Sequence, residues 1–359
     1  MLFVPKLLKS LILNKLFRGF VLSLILMINV YAEKIDIYAH RGFRAILPEN
    51  TLFAYQAALK IGVSAVDMDI NMTKDGVLVV THDLTLNTDL TEDENGNRIK
   101  VKTPIKDLTL AEIRKLDVGD LDNKSELAKL YPNHLNFKRV QIPTLLEVIH
   151  YVKSISGKSV KFQIEIKTDP LEPELSVKPE KMAKALYQVL QQEDIIEITE
   201  VQAFDWQCLV ELEKLNKNIQ TAFLTSHDSH PISKKADKNN VSGIYTAGLD
   251  PEEFNYDYLK MIKKLNGDFW EPYEMEVTQK EIQEAKSLGL KVVTWSYTEG
   301  EGTDFNYSRI EDLIKWKVDG IITDRPDILR GIEAANGLDV PKAFGDARSP
   351  YGNKIGLRN

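Results

Sequence analysis

From Ile35 onward the chain alternates short apolar runs with longer amphipathic ones, and this β-then-α rhythm is the strongest limit on what it can fold into. The runs Ile35–Ala39, Ala65–Ile70, Val77–Thr81, Val160–Ile166, Glu200–Phe204, Thr221–Leu224, Lys291–Trp295 and Gly320–Ile322 read as strands. Between many of them the apolar period lengthens to that of a helix, at Thr51–Ile61, Lys181–Gln191, Trp206–Leu215, Thr278–Leu288 and Ser308–Lys317. Repeated β-α units build a parallel sheet, and about eight strands in a chain of 359 residues suggest an α/β fold of the closed TIM (β/α)8 barrel type. An open doubly wound sheet is the alternative, but no Gly-x-Gly-x-x-Gly follows the first strand.

One stretch interrupts the rhythm. From Leu84 to about Val140 the chain is polar, with a turn-rich Asp93-Glu-Asn-Gly-Asn97 and one short helix pattern, Leu110–Leu116. The regular pattern resumes at Ile142-Pro-Thr-Leu-Leu-Glu147, where Thr144 and Glu147 have the spacing of a capping box. Residues 84–140 therefore read as a small insertion over one end of the barrel, following the strand that carries His82. The barrel domain spans 33–336, and residues 337–359 read as an irregular tail.

At the N-terminus, Lys6, Lys9, Lys15 and Arg18 precede an apolar run from Gly19 to Val30, closed by Tyr31-Ala32. A positive leader, about a dozen apolar residues and a small residue at the end make a secretory signal peptide, residues 1–32, cleaved after Ala32. The run is short of the roughly 20 residues a spanning helix needs, so no stable membrane span is expected after cleavage. The mature chain is then expected in a bacterial periplasm. The single cysteine, Cys208, excludes an internal disulfide and a cysteine-based zinc site. A net charge of −7 gives no electrostatic reason to expect nucleic acid as a partner.

Three polar groups break the apolar pattern. In Val66-Asp-Met-Asp-Ile-Asn-Met-Thr-Lys-Asp-Gly76, Asp67 and Asp69 share one face of a strand. A two-residue Asp75-Gly76 turn would pair Asp69 with His82 across a hairpin, whereas a three-residue Lys-Asp-Gly loop with a bulge would slip that pairing by one. Two carboxylates on one mostly apolar face repel unless a cation lies between them, and oxygen ligands suit Ca²⁺ or Mg²⁺. The second group, His40-Arg-Gly-Phe-Arg-Ala-Ile-Leu-Pro-Glu-Asn-Thr51, falls where the first strand gives way to the first helix, the place where barrels carry active-site loops. There Arg41 can hold a phosphate bidentately, His40 titrates near neutrality, and Asn50 or Thr51 can cap the helix. In the third, Gln163, Glu165 and Lys167 alternate with Phe162, Ile164 and Ile166. A solvent-facing edge strand has the same alternation, but in a closed barrel this polar line points inward.

Taken together, these groups resemble the glycerophosphodiester phosphodiesterase family over most of the chain. The resemblance rests on His-Arg-Gly with Pro-Glu-Asn-Thr (40–42, 48–51), the acidic pair before Thr-Lys-Asp-Gly (67, 69, 73–76) and His82-Asp83. It continues through Ile-Pro-Thr-Leu (142–145), Glu-Ile-Lys (165–167), Val201-Gln-Ala-Phe-Asp205, Thr294-Trp295 and Thr323-Asp-Arg-Pro326. It implies a TIM barrel with an insertion after the second histidine's strand. It also implies His40 and His82 as a general acid–base pair, and Asp67, Asp69 and Glu165 as ligands of one divalent cation. Arg41 and Lys167 would neutralise the phosphate, Glu49 would support the first loop at the phosphate site, and Trp295 would line the alcohol pocket or pack in the core. Asp83 would support His82. The implied reaction is attack by the neighbouring glycerol hydroxyl, then opening of a cyclic phosphate by water, giving glycerol 3-phosphate and a small alcohol. The chain departs from the family pattern at Asp67, where glutamate is usual. Lysophospholipase D or sphingomyelinase D-like action on lipids, or a non-catalytic binding barrel, are the alternatives.

Overall fold

The computed structural model describes residues 34–226, 243–296 and 306–350; the predicted leader lies outside these, as do the last nine residues of the predicted tail. Eight parallel strands form a closed barrel. They are β1 (Asp36–Ala39), β2 (Ala65–Met72), β4 (Lys161–Ile166), β5 (Thr199–Ala203), β6 (Gln220–Thr225), β7 (Phe269–Pro272), β8 (Lys291–Trp295) and β9 (Gly320–Thr323), with a short β3 (Leu78–Val80) running antiparallel to β2. Closure is made at β1, which pairs with β2 through Tyr38↔Ala65 and with β9 through Ile37↔Ile321. An open doubly wound sheet is thereby excluded.

Ten α-helices lie among the described residues. Seven pack around the barrel between strands: α1 (Leu52–Ile61), α4 (Leu145–Ser156), α5 (Pro179–Gln192), α6 (Gln207–Leu215), α7 (Tyr258–Lys264), α8 (Gln279–Ser287) and α9 (Tyr307–Lys315). They are joined by α10 (Pro326–Ala335), while α2 (Leu110–Ile113) and α3 (Glu126–Leu130) belong to the stretch between β3 and α4. The capping box expected at Thr144 and Glu147 opens α4, and Thr278 with Glu281 makes another at α8. Thr51, not Asn50, caps α1 by accepting from the Ala54 N–H. Outward side chains of the strands, such as Val66, Met68, Ile70, Phe162, Ile164 and Ile166, merge with the helices into the main core.

Two sequence expectations are corrected. The β2–β3 hairpin pairs Ile70 with Val80 and Met72 with Leu78, so the two-residue turn is wrong and the slipped register is the one formed. Thr73 closes a three-residue Lys74-Asp75-Gly76 loop by receiving from the Gly76 N–H, with Gly76 at φ +84°. That left-handed glycine makes the bulged loop the lower-energy choice. Asp69 consequently lies beside Thr81, whose N–H it accepts at 3.0 Å, and His82 follows one residue beyond. The second correction is β7, which the sequence reading missed. Its four residues, Phe-Trp-Glu-Pro, carry a glutamate and end in proline, and proline normally demotes a strand. Here Pro272 is tolerated at the last paired position, opposite Thr225.

Alternation along the strands and the parallel registers sort the inward side chains into layers of four from alternate strands, as in other barrels of this class. Low in the barrel lie Tyr38, Gln163, Ala222 and Val293, three of them part of an apolar plug with Ala65, Phe269 and Ile322. Above them come Asp67, Gln202, Glu271 and Ile322, then His40, Glu165, Leu224 and Trp295. Asp69, Phe204, Tyr273 and Asp324 form the rim at the C-terminal mouth. The apolar plug thus separates a charged Asp36–Lys161–Glu200–Tyr38 network at the N-terminal end from the polar groups at the end where loops join strands to helices.

Candidate active site

The first loop is set by backbone geometry. After β1, Arg41 has φ +49° and Gly42 φ +90°, and a Cβ on Gly42 would lie 2.6 Å from the Ala54 Cβ. Only glycine permits this close approach of the loop to α1. The turn places His40 over the barrel and aims the Arg41 N–H at Asp67 Oδ2 (3.2 Å). The Arg41 guanidinium donates to Glu49 Oε1 at 2.9 Å and lies 3.4 Å from Asp69 Oδ2. Glu49 also accepts from Arg44 Nε at 2.6 Å, so it clamps two arginines rather than facing the mouth. Burial works against the Glu49 carboxylate, but Arg41 and Arg44 outweigh it and lower its pKa to about 2.

Two imidazoles flank this loop, each anchored through Nδ1. His40 contacts Asp324 Oδ1 at 2.5 Å, and Tyr131, from the inserted stretch, donates its hydroxyl to Asp324 Oδ2 at 2.6 Å. His82 contacts Asp83 Oδ1 at 2.6 Å, and Asn87 steadies the other Asp83 oxygen at 2.8 Å. Burial lowers the pKa of both rings. For His82 the charges of Arg41 and Lys167 add to it, and the value falls to about 4. For His40 the Asp324 charge partly restores the protonated form against burial, Arg41 and Arg44. In both rings it is Nδ1 that makes the carboxylate contact.

The acidic group fills the axis between them. Asp67 accepts from Gln202 Nε2 at 2.6 Å as well as from the Arg41 N–H. Asp69 accepts from Asn50 Nδ2 at 2.7 Å, and Asn50 in turn accepts from the Tyr55 hydroxyl at 3.0 Å. Glu165, the Cα partner of Gln202 and of Asp69 across the sheet, accepts from Lys167 Nζ at 2.6 Å. Burial, then the Asp69 and Glu165 charges, push Asp67 well above the carboxylate range. Burial and Asp69 likewise raise Glu165 to about 7 against the pull of Lys167. Asp69 is held the other way, because Arg41, His82, Lys167 and Asn50 together overcome its burial.

As they stand, no three carboxylate, imidazole or thiol groups among the described residues surround a common point closely enough to hold an ion. Each carboxylate is turned to a protein partner. The donor set nonetheless fits a hard divalent cation: three carboxylates on adjacent inward positions of β2 and β4, with two driven toward protonation by burial and mutual repulsion. Trp295 is half-buried at the mouth, with its indole N–H on the Glu271 carbonyl (3.2 Å), edge-on to Phe204 and stacked at a tilt with Tyr273. These rings form an aromatic wall opposite the charged groups.

All nine residues singled out from sequence therefore belong to this end of the barrel. The structure adds Asp324, Tyr131, Arg44, Asn50, Gln202 and Glu271. Asp324 and Gln202 lie inside motifs already visible in the sequence, but their roles depend on which strands meet across the barrel. A cavity of about 210 Å³, lined in part by Tyr256, Trp270 and Glu276, contains none of these groups. No helix among the described residues is long and apolar enough to cross a membrane.

Residues 40–328 match the model of the glycerophosphoryl diester phosphodiesterase family. A Bacillus subtilis glycerophosphodiester phosphodiesterase is 28% identical over 303 residues, covering 84% of this chain and 87% of that protein. A Caldanaerobacter subterraneus protein of the same name is 28% identical, covering 82% of this chain and 95% of its own. Among solved structures, one from Silicibacter pomeroyi assigned to glycerophosphoryl diester phosphodiesterases superposes with a TM-score of 0.73 at 28% identity, over 86% of this chain and 95% of that one. An Oleispira antarctica phosphodiesterase, solved with the product sn-glycerol 3-phosphate, shares the fold at a TM-score of 0.58 and 21% identity, over 82% of this chain and 95% of its own. The chain belongs to the glycerophosphoryl diester phosphodiesterase family.

Proposed function

We propose that the protein hydrolyses glycerophosphodiesters to glycerol 3-phosphate and an alcohol, with His40 and His82 exchanging protons and one Ca²⁺ or Mg²⁺ held by Asp67, Asp69 and Glu165. The observation that carries this reading is the pair of imidazoles anchored through Nδ1 to Asp324 and Asp83 on either side of Arg41 and Lys167. An imidazole fixed at Nδ1 presents Nε2 in one protonation state and one direction, which proton transfer to and from oxygen requires.

The roles follow from the surroundings. His82 is neutral at physiological pH because burial, Arg41 and Lys167 disfavour its charged form, so it is the base that takes the proton from the attacking hydroxyl. Burial lowers His40 as well, but Asp324 opposes it, so of the two rings His40 is the one better able to carry the proton that the departing alkoxide receives. Arg41 and Lys167 take up charge on the phosphoryl oxygens. The bound cation would supply Lewis-acid polarisation of the phosphoryl oxygen. Tyr273, Trp295 and Phe204 face the organic part of the substrate.

Glycerophosphocholine and glycerophosphoethanolamine are the first substrates to test, in line with the family and with the product held by the Oleispira relative. Glycerol 3-phosphate release, followed with a coupled dehydrogenase, should be lost on chelation and in His40→Ala and His82→Ala. Full activity in either variant would overturn the acid–base assignment. Lysophosphatidylcholine run alongside distinguishes lipid cleavage, and the predicted leader supports a periplasmic location for the mature chain.

A further inference from the structure

Glu271 is absent from the proposed ligand set, yet it occupies the layer of Asp67, directly below that of Glu165. It is fully buried. Its Oε1 accepts from Gln163 Nε2 at 2.6 Å, while its Oε2 has no partner. Two neighbouring amides are in the same condition. Gln202 spends its N–H on Asp67 and Gln163 spends its own on Glu271, and the side-chain oxygens of both are buried without a donor.

Three buried oxygens in adjacent layers of one closed barrel thus lack any hydrogen to accept. Left so, each carries a desolvation penalty that folded proteins rarely leave unmet. One water has only two hydrogens for three acceptors. A carboxylate with amide carbonyl oxygens is a donor set that hard cations take. Asp67 gives the position its reason. Its side chain is short, and its two oxygens are held by Gln202 in its own layer, which is also that of Glu271, and by the Arg41 N–H of the loop above. An ion bound by so short a carboxylate is drawn toward the Glu271 layer.

We propose that Glu271 is a further carboxylate of the divalent-cation site, closing it from inside the barrel together with the Gln202 side-chain oxygen. This rests on the cation proposed above.

The test is calorimetric titration of the purified chain with Ca²⁺ and with Mg²⁺, comparing wild type with Glu271→Gln, which keeps the shape and the contact to Gln163. Affinity should fall at least tenfold, while the melting temperature in chelator stays the same or rises, since a partnerless buried carboxyl has been removed. A loss smaller than tenfold overturns the proposal and leaves the cation reading standing. A wild type that binds neither ion overturns both. Should Glu271→Gln fail to fold by circular dichroism, Glu271→Asp serves instead. It keeps the charge but shortens the reach, and binding equal to wild type would refute a ligand at this position.

Discussion

Replacing Asp324 by asparagine removes the anion behind His40 while preserving its shape. The carboxylate is buried and accepts from two groups, His40 at 2.5 Å and the Tyr131 hydroxyl at 2.6 Å. A hydrogen bond to a charged partner contributes about 1.5–3 kcal/mol. If that interaction is fully engaged only when His40 carries its proton toward the leaving group, its loss slows turnover roughly 10- to 150-fold. Asparagine can also present its NH₂ to Nδ1, which would shift the ring proton to the wrong nitrogen, so the upper part of that range is expected. KM should change less than threefold, because Asp324 stands behind the ring. The pH profile should move as well. Asp324 raises the His40 pKa against burial, Arg41 and Arg44. Without the anion His40 loses its proton at lower pH, and the alkaline limb of kcat shifts in the acid direction. Tyr131→Phe removes only the second, neutral donor, worth about 1 kcal/mol and roughly a fivefold slowing. Coupled detection of glycerol 3-phosphate from glycerophosphocholine measures both. Turnover in Asp324→Asn within threefold of wild type, or a larger loss in Tyr131→Phe, would refute the reasoning.

Two further changes test the frame. Gly42→Ala forces a Cβ into Ala54 at φ +90°, so it should cost about 1–3 kcal/mol of stability, seen as a lower melting temperature, and reduce kcat out of proportion by displacing His40 and Arg41. Glu333, in α10, has both carboxylate oxygens buried without a partner, and burial aided by the Asp36 charge raises its pKa to about 8. An unfolded glutamate titrates near 4.5, so the folded state binds the proton more tightly. The Glu333 contribution to stability is therefore constant at low pH, declines as pH rises through the interval between these values, and is lowest above about 8. Glu333→Gln should flatten that decline and raise the melting temperature at pH 8.5 by a few degrees; an unchanged pH dependence would exclude Glu333 as its source.

The barrel was legible because its strands are mostly continuous apolar runs and its helices carry amphipathic periods. β7 was not, since four residues ending in proline give no period to read. Its Glu271 passed unnoticed with it. The hairpin shows a subtler limit. The residues Thr73 to Gly76 announce a turn, but they do not choose between a two- and a three-residue loop, and a shift of one residue moves Asp69 from His82 to Thr81. At the site, His40, Arg41 and the acidic pair stood out because charge at strand ends is costly. Asp324 and Tyr131 did not, because an aspartate after a strand and a tyrosine in a polar insertion are ordinary until closure of the barrel brings them together. Glu49, expected from its motif to support the first loop at the phosphate site, lies on Arg41 and Arg44 of that loop.

The electrostatics of the mouth also bear on the order in which ligands bind. Arg41 is already matched by Glu49 and Asp69, and Lys167 by Glu165 with Asp69 at 3.9 Å. Neither cation therefore offers an uncompensated charge to an incoming phosphodiester. Beneath them Asp67, Glu165 and Glu271 are all displaced toward protonation, by burial first, then by Asp69 for Asp67 and Glu165 and by Glu200 for Glu271. A phosphate entering this site alone adds negative charge where carboxylates already repel. On the cation reading, the same phosphate meets a site whose carboxylates are neutralised and whose Lys167 is released from Glu165. Phosphate and cation must then favour each other's binding, and by linkage the factor is the same in both directions. Glycerol 3-phosphate titrated calorimetrically should bind at least tenfold more tightly with saturating Ca²⁺ than in chelator, a coupling of about 1.4 kcal/mol. Ca²⁺ affinity should rise by the same factor in saturating glycerol 3-phosphate. Equal affinity for the product with and without the ion would mean that Arg41 and Lys167 hold phosphate unaided, and that the buried carboxylates serve the fold rather than a metal.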